Sequence, residues 1–260
     1  MSKQGDSTAS FRQRLRRREP LIGTFVKTPT PHATEIFASL GYDFVIIDAE
    51  HAPFDRGDID MVVMAARASG IASLVRVAEA SPSTILSSLD VGATGILAPH
   101  VDSAERAAQV AAACRYRDGG NRGYSTFSRA GNYGGTTMAA HMAAEDERVA
   151  CIAMIEDAAA LEHLDAIAAT PGLDAFFLGR ADLSSSLGLT RTDTPETAAA
   201  VDRCLIAARK ANLAVMVLTT SPKDAAELRA AGASAVVVSN DQSFLRNGAA
   251  EALRQYALPS

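Results

Sequence analysis

The chain has only three cysteines, Cys114, Cys151 and Cys204, far apart and with no CxxC pair among them. An odd, scattered set supports neither a disulfide framework nor a zinc knuckle. Cys151 opens an apolar run and reads as a small core residue. Lysine is scarce, confined to Lys3, Lys27, Lys210 and Lys223, and arginine carries the rest of the positive charge. Arginine suits bidentate recognition of carboxylate or phosphate. A GC-rich codon bias gives the same skew, and that plainer reading is preferred for most of these residues. The net charge is −5, so there is no basic field for nucleic acid or an anionic membrane, and neither is expected as a partner. No apolar run approaches ~18 residues, and the polar start MSKQGDSTAS lacks the apolar stretch of a signal peptide. A cytoplasmic location is expected. No GxGxxG follows the first candidate strand and no GxxxxGKS/T occurs, which weighs against dinucleotide and P-loop folds.

What is present is the balance of an ordinary globular chain: 260 residues, 48% hydrophobic and 21% charged. That length fits one closed α/β barrel. Residues 1–10 read as a frayed tail and 11–20 as a short basic helix ended by Pro20. Strand and helix patterns then alternate. Strand candidates fall at 21–27, 44–50, 73–77, 95–101, 150–156, 174–180, 213–220 and 234–240. Helical sequence follows each, at 31–41, 58–70, 81–92, 103–116, 158–170, 195–211, 221–232 and 243–257. Most of the strands are continuous apolar runs, as expected when both sheet faces are covered. Eight such units predict an α/β fold of the (β/α)8 TIM-barrel type over 21–260, with 1–20 as an N-terminal tail and short helix. A doubly wound open sheet is the alternative. Residues 117–148 break the rhythm with six glycines and a candidate helix in their second half. A loop of this length is usually functional or mobile. With Arg122 and Arg129 it reads either as a lid over an anionic substrate or as a surface or oligomer contact.

In such a barrel the chemistry sits at the C-terminal ends of the strands. Lys27, Asp48, Glu50, His51, Arg76, His100, Glu156, Arg180 and Asp182 all fall at these ends. Glu156 and Asp182 close successive strands. Two carboxylates brought together repel unless a cation or proton lies between them, so they suit a hard divalent ion. Equally, either is a helix cap or an ion-pair partner. His51, beside Asp48 and Glu50, suits a general base or a loop cap. A buried Arg76 needs a substrate oxygen or one of the neighbouring carboxylates. His100 reads as structural, and His32, His141 and His163 as solvated. Lys27 would form a Schiff base if it were desolvated.

The stretches IIDAEHAPFD (46–55), LVRV (74–77), LDVGATGILAPHV (89–101), RGYS (122–125), IE (155–156) and GRADLS (179–184) resemble the HpcH/HpaI aldolases. The likeness runs from about residue 21 to 255. It implies a barrel whose last helix swaps with a neighbour, in homohexamers built as trimers of dimers. It implies a divalent metal cofactor (Mg2+, Mn2+ or Co2+) on Glu156 and Asp182, chelated by the substrate keto acid. His51 matches the family's catalytic histidine and Asp90 its dyad aspartate. Arg76 matches the arginine on the reacting keto oxygen, and the amides near Ala181 and Asp182 would receive the carboxylate. The implied activity is cleavage or formation of 4-hydroxy-2-keto acids through a pyruvate-type or hydroxypyruvate enolate and an aldehyde. The chain departs from the family at Met154, where glutamine is common, at Phe25, where tryptophan is common, and at Arg180, where the motif usually has proline. Those three are expected to bind substrate and set donor and acceptor preference. An acyl-CoA or other metal-enolate lyase, a non-catalytic barrel and a Lys27 Schiff-base aldolase are the competing readings.

Overall fold

The computed structural model describes residues 9–257, so most of the expected tail lies outside the described residues. Eight strands, β1 (Leu21–Val26), β2 (Phe44–Asp48), β3 (Ala72–Arg76), β4 (Gly95–Ala98), β5 (Ala150–Ile155), β6 (Ala175–Leu178), β7 (Ala214–Thr219) and β8 (Ala235–Asn240), form a parallel barrel in sequence order. Pairing of β1 with β8 closes it, so the open-sheet alternative is excluded. Every residue of β2, β4, β5 and β6 is buried, which explains their unbroken apolar runs.

The two-residue repeat divides each strand between two cores. Phe44, Ile46, Leu74, Leu97, Ile152 and Phe177 pack inside the barrel. Val45, Ile47, Val75 and Ile96 face the surrounding helices. Helix α1 (Phe11–Arg16) adds Phe11 and Leu15 to the inner cluster. It is the expected short basic helix, and it closes the barrel floor with Phe11 5.4 Å from Phe44 between ring centroids. Gly23 makes room there, since a Cβ at that position would lie 2.2 Å from Phe44 Cε2. Gly23→Ala is therefore expected to cost about 1–3 kcal/mol by overpacking. The midpoint of urea unfolding measures this, and an unchanged midpoint would show that Phe44 yields freely.

The outer helices are α2 (Pro31–Ser39), α3 (Arg56–Ser69), α4 (Pro82–Asp90), α5 (Ala104–Ala113), α6 (Met138–Arg148), α7 (Leu164–Ala168), α8 (Arg180–Ser186), α9 (Pro195–Lys210), α10 (Pro222–Ala231) and α11 (Asp241–Tyr256). Serine, threonine, aspartate or asparagine side chains cap most of them, and proline opens α2, α4, α9 and α10. The helix expected over 158–170 is instead a 3-10 turn, Ala158–Glu162, and the short α7, broken at His163. Helix α8 has no counterpart in the sequence reading, because seven residues are too few to show a helical period.

The glycine-rich loop contributes no residue to the cavity at the C-terminal ends of the strands. It folds against α3 and α4, where Arg129 pairs with Asp60 at 2.7 Å and the Ala130 amide donates to the Asp90 carbonyl at 3.1 Å. Helix α11 contains no buried residue and leaves Leu245, Leu253 and Tyr256 exposed. Among the described residues, no helix is long and apolar enough to cross a membrane.

Candidate active site at the barrel mouth

Register places an ion pair on top of the inner core. Asp48 and Arg76 are partners across β2 and β3. The repeat that turns Phe44, Ile46 and Leu74 inward turns these two inward as well. Arg76 Nε donates to Asp48 Oδ1 at 2.9 Å, and Nη2 donates to Oδ2 at 2.7 Å. Its Nη1 lies 3.3 Å from Glu50. The guanidinium sits 5.0 Å above the Phe25 ring, which packs edge-on against Phe177. Lys27 Nζ is 3.1 Å from Asp48 Oδ2, and the His51 amide donates to Oδ1 at 3.1 Å. Burial alone would raise the Asp48 carboxyl, but the hydrogen bonds and charge of Arg76, with His51 and Lys27, hold it below the usual aspartate value.

Above this pair lies a cavity of about 520 Å3. Phe25, Lys27, His51, Arg76 and Met154 line one part of it, and Gly179, Arg180, Ala181 and Asp182 another. The structure thus brings together all but two of the expected site residues. Asp182 stands exposed in the first turn of α8. Gly179 allows that turn to pass close to β5, since a Cβ there would meet Glu156 Oε2 at 2.9 Å. The His51 imidazole is largely exposed, with Nε2 3.8 Å from Glu50 Oε2.

Glu156 is buried beneath this turn and turned toward β4. Its Oε1 accepts the His100 amide at 2.8 Å. His100 has a left-handed backbone, φ 53°. Its ring Nδ1 lies 3.1 Å from Asp157 Oδ2. Burial raises the Glu156 carboxyl, the His100 amide and ring charge oppose this, and the charges of Glu50 and Asp182 add to it. Burial would lower His100, but the Asp157 hydrogen bond and the charges of Glu156, Asp157 and Glu50 raise it instead.

The divalent-metal cofactor expected at Glu156 and Asp182 is corrected by this geometry. Among the described residues, no group of three or more His, Cys, Asp or Glu side chains is arranged to hold a metal ion. One oxygen of Glu156 is already engaged by His100, and Asp182 adds a single exposed carboxylate.

Two further expectations change. Lys27 is ion-paired with Asp48, the opposite of the uncharged, desolvated amine a Schiff base requires. Asp90 does not line the cavity, and among the described residues no hydrogen bond or ion pair joins it to His51. It faces the loop instead, with Oδ1 3.6 Å from Arg122. Burial raises its carboxyl despite the charges of Arg122, Arg56 and His141. His141, expected to be solvated, is buried with its Nε2 3.1 Å from the Tyr116 hydroxyl. Arg180 lines the cavity, but its guanidinium is bound to Asp224 and to the Leu218 carbonyl. Asp48 was readable only as a strand-end acid, and Asp224 was missed. The inward parity of β2 is the signal that would have singled out Asp48.

Comparison with known proteins identifies the family. Residues 21–248 match the HpcH/HpaI aldolase/citrate lyase family. The chain is 36% identical over 233 residues to a 2-keto-3-deoxy-L-rhamnonate aldolase of Salmonella typhi, covering 89% of this chain and 86% of that protein. A solved HpcH/HpaI aldolase/citrate lyase family protein of Burkholderia cenocepacia J2315 superposes with a TM-score of 0.88 at 32% identity, covering 94% and 97% of the two chains. An HpcH/HpaI aldolase of Desulfitobacterium hafniense DCB-2 gives a TM-score of 0.90 at 26% identity, covering 97% and 99%. The chain therefore belongs to the HpcH/HpaI aldolase/citrate lyase family and is an enzyme of its carbon–carbon lyase and aldolase chemistry.

Proposed function

We propose that the enzyme cleaves and forms 4-hydroxy-2-keto acids, with a pyruvate-type donor and an aldehyde acceptor. The observation that carries this reading is the buried, fixed Arg76 guanidinium facing the same cavity as an exposed His51. Cleavage removes a proton from the C4 hydroxyl, breaks the C3–C4 bond to release C4 as the aldehyde, and leaves an enolate whose charge grows on the keto oxygen and which takes a proton at C3 to become pyruvate. Arg76 lies where it can stabilise that charge, and its bonds to Asp48 hold it in place before substrate arrives. His51 takes the hydroxyl proton, directly or through water. Phe25 and Met154 line the cavity as an apolar wall for the donor methyl, and the backbone amides near Ala181 and Asp182 would receive its carboxylate. The Salmonella typhi relative bears the name of an aldolase for a 2-keto-3-deoxy acid, which is the same substrate class. Asp90 has no part in this reading within one subunit.

The acyl-CoA alternative is less well supported. The cavity beside the mouth is lined by Asp193, Asp202, Asp224 and Glu227, and Arg180, the one cation among its described lining residues, is paired with Asp224. Such a set of carboxylates repels a phosphate-bearing tail.

The test is pyruvate release from a panel of 4-hydroxy-2-keto acids, together with deuterium exchange into the pyruvate methyl group without acceptor. Release and exchange are both expected, and absence of both would overturn the reading. His51→Ala is expected to slow release by about 10²–10⁴-fold while leaving the unfolding midpoint unchanged. An unaltered rate would remove His51 as the base.

The homo-oligomer implied by the family resemblance belongs to the same proposal. The apolar residues that α11 leaves exposed suit a second subunit. Sedimentation should show an assembly, with a hexamer expected, and a monomer at micromolar concentration would refute it.

A further inference from the structure

A second cavity, also of about 520 Å3, lies between α9 and α10 and is not used by the proposed chemistry. It shares Arg180, Thr192 and Thr220 with the mouth cavity. The shared boundary is a constructed one. Arg180 Nη1 donates to Asp224 Oδ1 at 3.0 Å, Nη2 donates to Asp224 Oδ2 at 2.6 Å, and Nη2 also donates to the Leu218 carbonyl at 2.8 Å. Asp224 is held in turn, because the Thr220 amide at 2.9 Å and the Thr220 hydroxyl at 3.2 Å both donate to its Oδ2. A two-pronged pair of this kind has fixed geometry at both ends. It joins the start of α8 to the start of α10, across the end of β7. It behaves as a wall and leaves little of the guanidinium free to greet an anionic substrate.

The chemistry on the two sides differs. The mouth side of the wall carries Thr219, Thr220, Ser239 and Asn240, neutral groups that hydrogen-bond hydroxyls. The far side combines threonine hydroxyls and the carboxylates of Asp202 and Glu227 with Val201, Leu205 and Leu228. Hydroxyls on a carbon chain satisfy such a surface, whereas a carboxylate or phosphate is repelled by it.

We propose that Arg180 and Asp224 are specificity-determining residues: their bridge closes the mouth toward α9 and α10 and restricts the acceptor to short hydroxyaldehydes. Without the bridge, the second cavity admits longer, uncharged polyhydroxylated aldehydes. This rests on the aldolase reading of the mouth.

The experiment is to measure kcat and KM for addition of pyruvate to glycolaldehyde and to four- and five-carbon aldoses. The full-length wild type, Arg180→Ala and Asp224→Ala are compared. Each substitution is expected to raise the kcat/KM ratio of long over short acceptor by about tenfold or more, mainly through a lower KM for the long one. Two independent substitutions guard against a folding defect in one of them. An unchanged ratio in both overturns the proposal. So does an equal loss for every acceptor, which would make Arg180 a direct substrate ligand. Deuterium exchange into pyruvate by the wild type separates the two levels. Exchange with an unchanged ratio defeats only the wall, while absence of exchange and addition defeats the aldolase reading and the wall with it.

Discussion

Arg76→Lys is expected to lower kcat for pyruvate release by about 10²–10³-fold with the fold intact. The reason lies in what the two cations can do at this position. The guanidinium makes two parallel bonds to Asp48, at 2.9 and 2.7 Å, and keeps Nη1 beside Glu50 at 3.3 Å. It also covers the Phe25 ring. A lysine ammonium is a point charge on a flexible stem and cannot hold both carboxylates and remain aimed at the keto oxygen. Asp48 still keeps a positive neighbour, since Lys27 is 3.1 Å away, so the buried carboxylate is not stranded. The loss should therefore fall on the rate and spare the urea midpoint. A kcat within about threefold of wild type would show that Arg76 is only a structural partner of Asp48. Acidification should act on stability instead. Because the folded Asp48 carboxyl titrates below its ordinary value, the stability it contributes is present above the unfolded value. That stability disappears as pH falls through the folded one.

Much of this site was legible in the sequence because parallel strands leave so few choices. A strand buried on both faces must be a continuous apolar run, and a barrel puts its chemistry where such runs end in polar residues. Asp48, His51, Arg76 and Asp182 were found in that way. The parity of β2 and β3 was also readable, and it makes Asp48 and Arg76 face each other. What the sequence did not show depends on loops and rotamers. Glu156 and Asp182 close adjacent strands, yet Glu156 Oε1 accepts the His100 amide, and among the described residues no group of three or more His, Cys, Asp or Glu side chains is arranged to hold a metal. His100 also has a positive φ, a backbone conformation that its residue type gives no warning of. Sequence leaves Arg180 open between attracting an acidic substrate tail and turning into a salt bridge, because its partner Asp224 lies forty-four positions later in the chain. The arginines of the 117–148 loop stand out in the sequence, but not their partners: Arg122 is buried against Glu145 and Arg129 pairs with Asp60.

Those charges give the second large effect. Glu145→Ala is expected to destabilise the fold by about 3–5 kcal/mol. The Arg122 side chain is fully buried, and its Nη1 donates to Glu145 Oε2 at 3.1 Å. Its Nε and Nη2 have no hydrogen-bond partner among the described residues, and the nearest other carboxylate, Asp90, is 3.6 Å away. The Tyr116 ring, 4.8 Å from Cζ, supplies the remaining contact. Glu145 also binds Arg148 through Nε at 2.7 Å and Nη2 at 2.9 Å, and Arg148 Nη1 donates to the Ala93 carbonyl at 3.0 Å. One carboxylate thus holds the loop, α6 and the turn after α4 together. Removing it leaves a buried guanidinium nearly uncompensated, which costs more than the pair contributes when intact. The paired substitution Arg122→Met with Glu145→Leu removes both charges and should recover most of the loss, as seen in the urea midpoint. Equal instability in the single and double variants would show that packing, and not the stranded charge, sets the cost. The pH dependence has a definite sign. Burial would raise the Glu145 carboxyl, but Arg148 and Arg122 hold it below its ordinary value. The wild type's advantage over Glu145→Ala is therefore full above the unfolded glutamate value and shrinks as pH falls through the folded one. None of these residues lines the mouth, so the folded Glu145→Ala enzyme should keep its kcat. A stable but inactive variant would instead place this cluster in the reaction.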